Sequence, residues 1–139
     1  MAKKDKLRLD PESLRGLLED GGWPCDRISE DTWRSRFRGR QASFPFFVRI
    51  DPAGFLCFAI VPYLKSPEGT GAAKLYDRLL QLNQSLLMAK FSIDDDLDVV
   101  LSVEYPCQLL DRSEFDDALD VLSFYADKHY EELDGLTKA

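Results

Sequence analysis

Residues 75–106 read LYDRLLQLNQSLLMAKFSIDDDLDVVLSVEYP and pass from helical to strand spacing across a run of aspartates. In the first part Leu75, Tyr76, Leu79, Leu82, Leu86 and Leu87, with Ala72 just before them, recur at three- and four-residue steps; this spacing predicts the longest central helix. KFSID and LDVVLSVEY then read as two strands. In the second, Leu97, Val99, Leu101, Val103 and Tyr105 alternate onto one face, and Pro106 helps to end it. The aspartates between these strands are a metal loop, a catalytic cluster or a turn.

Asp94, Asp96 and Asp98 stand at positions 1, 3 and 5 of a calcium loop, whose oxygen ligands alternate along the chain. Position 6 of such a loop is glycine but here is Val99. Position 12 is a bidentate glutamate but here is Tyr105, with Glu104 out of step. Acid–base chemistry on paired carboxylates needs a partner group and a cleft that raises one pKa, and the sequence shows neither. A polar hairpin turn is the expectation, because Asp tolerates left-handed backbone and accepts bonds from nearby N–H groups.

Upstream, Asp10, Pro11 and Glu12 supply an N-cap, a first-turn proline and an acid at the positive end of a helix dipole. Leu14, Leu17 and Leu18 share a face, and Gly21-Gly22 stops this helix, which spans about residues 11–20. From Thr32 to Gly39, Trp33, Ser35 and Phe37 alternate with Arg34, Arg36 and Arg38, as in a half-buried strand. FPFFVRI (44–50) and FLCFAIVPYL (55–64) are two more strands, and the turn Asp51-Pro52-Ala53-Gly54 joins them into an antiparallel meander. Downstream, Asp111 and Glu114 have capping-box spacing, and Phe115, Leu119, Leu122, Ala126, Tyr130 and Leu133 form the stripe of a final helix. The order is α-β-β-β-α-β-β-α, an α+β fold with helices against an antiparallel sheet.

The 139 residues, 45% hydrophobic and 31% charged, suit one soluble folded domain. The expected organisation is a flexible basic N-terminus at 1–9, a single domain at 10–134 and a C-terminal tail at 135–139. No stretch has signal-peptide or membrane-span character. Cys25, Cys57 and Cys107 are widely spaced and odd in number, so neither a disulfide framework nor a zinc ribbon is encoded and a cytoplasmic location is expected. Net charge is −7, with a basic first 50 residues and an acidic remainder. That balance argues against general affinity for nucleic acid or anionic membrane, while leaving room for a local basic patch.

The element order, with LYDRLLQLNQSLLMAKFSIDDDLDVVLSVEYP followed by DRSEFDDALDVLSFYADKHYEEL, resembles the YbjN family of bacterial proteins, labelled sensory transduction regulators. The residues that carry the resemblance are Leu82-Asn83, Phe91, the turn at Asp94 to Asp96, Val99, Leu101, Ala126-Asp127 and Tyr130. Glycine is common at that turn in the family, where this chain has a third acid, Asp96. The resemblance implies a type III secretion chaperone-like fold and a small cytoplasmic protein without catalysis. It further implies a homodimer acting by binding another protein. Type III chaperones of this fold hold extended segments of secreted proteins along apolar patches, so partner chaperoning is its concrete form.

Of the candidate site residues, Arg34, Arg36, Arg38 and Arg40 stand out. Their alternation along one strand would set guanidinium groups in a row about 6.5 to 7 Å apart. The bland reading is a solvated face paired with neighbouring acids. The functional reading is a ridge that binds an acidic partner protein through bidentate contacts. Single-stranded nucleic acid is disfavoured, since Trp33 and Phe37 point to the opposite face and could not stack on bases held by the arginines. His129, the sole histidine, borders the last helix's stripe and reads as structural; a ligand or enzymatic pocket beside it is the rival of another class. A dedicated secretion chaperone for one effector is the nearer rival. Cys57 is expected in the core, Cys25 and Cys107 in loops. No cofactor, metal or catalytic residue is expected, and no membrane partner.

Overall fold

Asp10 opens the first helix as the sequence predicts, through a reciprocal box. Its carboxylate accepts the Ser13 N–H at 2.8 Å, and the Ser13 hydroxyl accepts the Asp10 N–H at 2.9 Å. The structure is a computed structural model and describes residues 10–69 and 71–138. The expected N-terminal arm, residues 1–9, lies outside the described residues. Helix α1 (Pro11–Asp20) is followed by strands β1 (Asp26–Arg27), β2 (Thr32–Arg38), β3 (Ser43–Asp51) and β4 (Phe55–Lys65). Helix α2 (Gly71–Asn83), strands β5 (Ala89–Ile93) and β6 (Asp98–Pro106), a short 3-10 turn (Cys107–Leu109) and helix α3 (Arg112–Thr137) complete the chain.

The strands form one antiparallel sheet in the order β1-β2-β3-β4-β6-β5. Alternation decides its inner face, where Trp33, Phe44, Phe46, Val48, Leu56, Phe58, Ile60, Phe91, Val99, Leu101 and Val103 are buried. The apolar stripes of the three helices join them in a single core. Phe58 meets Phe115 of α3 edge to face at 5.4 Å. The Trp33 indole N–H donates to the Pro11 carbonyl at 2.8 Å and ties α1 to β2. Tyr63 donates its hydroxyl to the Ala126 carbonyl at 2.6 Å, and burial pushes its pKa up. A register shift between Ile60 and Leu64 lets consecutive Tyr63 and Leu64 both turn inward.

Several expectations are corrected. The two-residue strand β1 was not anticipated, being too short to show any alternation. The longest helix is α3, at 26 residues; α2 has 13 and ends at Asn83. Beyond it the chain turns through Met88 at φ 70, which leaves Leu86 buried but Leu87 exposed. Leu97 does not share the face of Val99: it sits exposed in the turn at φ 63. Cys57 is half-buried on the sheet's other face, opposite Arg49 and Glu104, rather than in the core. Helix α3 continues to Thr137, into the stretch expected as a tail.

Candidate partner-binding surface

With the helices packed on the inner face, alternate residues of the strands are left on the outer one. One rung of neighbours crosses the whole sheet: Asp26, Arg34, Phe47, Ala59, Ser102 and Lys90. Phe47, Cys57, Ala59, Val61 and Val100 floor a shallow trough of ≈ 410 Å³ on this face. Its rim is charged: Arg49 stands on one side, while on the other Lys90 and Glu104 form an ion pair at 2.6 Å. The result is an apolar strip between charged borders, the composition of a recognition surface with a polar rim.

The arginines divide. Arg34, Arg36 and Arg38 are exposed on β2 while Trp33 and Ser35 are buried, as the alternation required. Arg34 faces Asp26 at 3.9 Å. Among the described residues Arg36 and Arg38 have no ion-pair partner. Arg40 leaves the row, because β2 ends at Arg38. Its backbone N–H and its Nε both donate to the Asp127 carboxylate of α3, each at 2.8 Å. Those hydrogen bonds, the backbone one foremost, hold the Asp127 carboxyl below its ordinary pKa. Glycine at 39 permits this approach, since a Cβ there would lie 2.6 Å from Asp127 Oδ1 and 2.9 Å from the Phe44 ring. A second, wider hollow of ≈ 830 Å³ lies beside this tether, with Phe37, Arg38, Phe124 and Lys128 among its walls.

The aspartates behave as a turn. Asp94 Oδ1 accepts the N–H groups of Asp96 and Asp98 at 3.0 and 2.9 Å, and the Leu97 N–H closes on the Asp94 carbonyl at 3.0 Å. The Asp94, Asp96 and Asp98 carboxylates gather within 4.8 Å, but Val99 is buried in β6. Tyr105, where a calcium loop places its glutamate, lies about 20 Å farther along that extended strand. His129 is half-buried, stacked on Tyr125 at 6.0 Å with Phe91 at 6.3 Å. Burial, reinforced by Lys128, pushes its pKa down. Burial likewise pushes the thiols of Cys25, Cys57 and Cys107 up, which keeps them protonated and poor nucleophiles at neutral pH.

Reading β3, β4 and β6 for their inner faces alone missed the outer strip. The signal was there: in FPFFVRI the alternation that buries Phe46 and Val48 turns Phe47 outward with Arg49. Asn83 was read only as part of a pattern. Its side-chain amide donates to the Phe91 carbonyl at 3.0 Å, while its side-chain oxygen accepts the Phe91 N–H at 2.7 Å.

No curated protein matches this sequence. Among solved structures, the chain is similar to a chain of the heterodimeric ExoU–SpcU complex from the type III secretion system of Pseudomonas aeruginosa. The TM-score is 0.59 at 21% identity, over 87% of this chain and 94% of that one. This likeness establishes the fold: α+β and type III secretion chaperone-like. Among the described residues, no helix is long and apolar enough to cross a membrane. The family model YbjN, described as "Putative bacterial sensory transduction regulator", matches residues 10–135. The sheet, the outer strip, helices α1 and α2 and all but the last two residues of α3 fall within that match, and the chain belongs to the YbjN family.

Proposed function

We propose that this chain is a non-enzymatic, cytoplasmic protein-recognition module that holds a partner protein against the bare face of its sheet. The observation that carries this reading is the apolar strip Phe47, Cys57, Ala59, Val61 and Val100 between charged borders, on the face opposite the helices. The titratable groups support it. His129 is wedged among rings, the thiols are pushed up, and Asp94 is spent on its own turn. The test is affinity purification from the native host with the parent chain and with Ala59→Arg, which sets a long charge in the trough. A stoichiometric partner should co-purify with the parent and be lost from the variant at unchanged circular dichroism. Equal recovery from both would remove the outer face as the site.

A second, narrower reading is a dedicated secretion chaperone, favoured by the shared fold with a chain of a type III secretion complex. Co-expression with the product of a neighbouring gene should then raise that product's solubility. A homodimer is expected from the fold as well; multi-angle light scattering would show a mass near twice 15.9 kDa.

A further inference from the structure

The two edges of the sheet present different hydrogen-bonding opportunities. In an antiparallel ladder, alternate residues turn both backbone groups to the same side. Just beyond the two ends of β2, the Gly39 N–H reaches the Ala42 carbonyl of the β2–β3 turn, and the Asp31 carbonyl accepts the Ile50 N–H. Odd-numbered residues of this strand therefore face β3. The Thr32 carbonyl accepts the Ile28 N–H on the opposite side, so even-numbered residues face β1. Strand β1 pairs with β2 only at Arg34 and Trp33, and its register stops at Asp26. Pro24, two residues earlier, has no N–H to offer. The backbone groups of Arg36 and Arg38 consequently look out from the sheet with no strand beside them among the described residues. Two hollows, both touching Pro24 and Arg36, follow this edge.

We infer that this open edge of β2 accepts an extended segment of a partner protein as an added antiparallel strand, with acidic side chains at alternate positions. The proposal rests on the protein-recognition reading above and names the partner's chemistry. The chain contains the template for it. Asp26 is the β1 residue whose backbone pairs with Arg34, and its carboxylate lies beside the Arg34 guanidinium at 3.9 Å. Continuing that pattern two and four residues along sets one acid opposite Arg36 and another opposite Arg38. Each pairing combines ladder hydrogen bonds with a charge pair on the outer face.

The same arginines exclude other strands. Charged edge residues are a recognised guard against edge-to-edge association. A second copy pairing β2 with β2 would set arginine against arginine. The far edge is closed at its centre, where the Asn83 amide takes both backbone groups of Phe91. An acidic strand is the occupant that turns this repulsion into attraction.

The probe is a fluorescein-labelled peptide of alternating glutamate and valine, added to the full chain and followed by fluorescence anisotropy. Binding should weaken about tenfold or more in the Arg36→Glu/Arg38→Glu variant, and a peptide with lysine for glutamate should not bind. N-methylation of the glutamate amides removes the ladder donors while leaving protein and charge untouched. It should abolish binding, whereas undiminished affinity would overturn strand addition in favour of charge attraction alone. Tighter, Arg36-dependent binding of oligodeoxythymidine would reassign the edge to nucleic acid, and a dimer dissociated by the double variant would reassign it to self-association. A native partner that co-purifies equally with parent and double variant would sink the edge proposal while leaving protein recognition through the outer face standing.

Discussion

At the β5 edge of the sheet, Phe91 is 4% exposed and gives its N–H and carbonyl to Asn83 at 2.7 and 3.0 Å. At the opposite edge, Arg36 and Arg38 are exposed, and among the described residues their outward backbone groups have no strand beside them. Satisfaction follows burial. A backbone group packed under a helix end has no solvent to turn to and must find a protein partner, while one at a wet edge need not. The comparison shows which edge can change partners. Breaking Asn83 from Phe91 leaves buried polar groups unsatisfied, but replacing water on Arg36 and Arg38 with another strand leaves none.

The strongest way to break this contrast is Asn83→Ala. It should lower unfolding stability by about 2–3 kcal/mol in urea titrations, because two buried backbone groups lose their partners. It should also promote aggregation by opening the β5 edge. An unchanged midpoint would show that the clamp is ornamental. At the other end of the sheet, Trp33→Phe removes the donor to the Pro11 carbonyl. It should cost about 1–2 kcal/mol, with early exchange of α1 amides, since that bond ties α1 to β2.

A pH series probes the β5 edge through His129, whose ring lies against Phe91. Its folded pKa is lowered from 6.5, mainly by burial. The unfolded chain therefore takes up the proton first as pH falls. Stability should be lost as pH drops through about 6.5, the loss levelling off below the folded pKa. His129→Gln should flatten this part of the profile, and a profile equally steep in the variant would place the titration elsewhere.

Leu97→Gly relieves a left-handed backbone at φ 63 in the turn beside β5, and calorimetry should show a gain of about 0.5 kcal/mol. Smallest of all, Arg36→Glu/Arg38→Glu should shift stability by less than about 0.5 kcal/mol, because neither guanidinium has an ion-pair partner among the described residues. That insensitivity sharpens the contrast, as these two residues would then matter to binding alone.

The local signals were read correctly where their physics is local. Asp10 caps its helix three residues away, Asp51 to Gly54 turns the β3–β4 hairpin, and Asp94 holds N–H groups two and four residues on. The failures were of two kinds. Spacing alone carried α2 past Asn83 and put Leu97 in register with Val99, because a leucine counts the same in a periodicity whether it packs or sits in a turn. Alternation sets Arg34, Arg36 and Arg38 in an exposed row, but it also carries the row on to Arg40, which lies beyond β2 and whose partner Asp127 is 87 positions away and invisible to any local pattern.

The sequence by itself determined the α+β class, the element order apart from β1, and the alternation that turns three arginines outward. Each of these follows from side-chain periods of two or 3.6 and from caps that act within a single turn. Tertiary structure alone decided which face of the sheet the helices cover, that Asn83 closes one edge, and that β1 stops after two residues, which leaves Arg36 and Arg38 with no strand beside them among the described residues. Those outcomes depend on which strands become neighbours and where their pairing ends, and they are set by contacts between residues far apart in the chain.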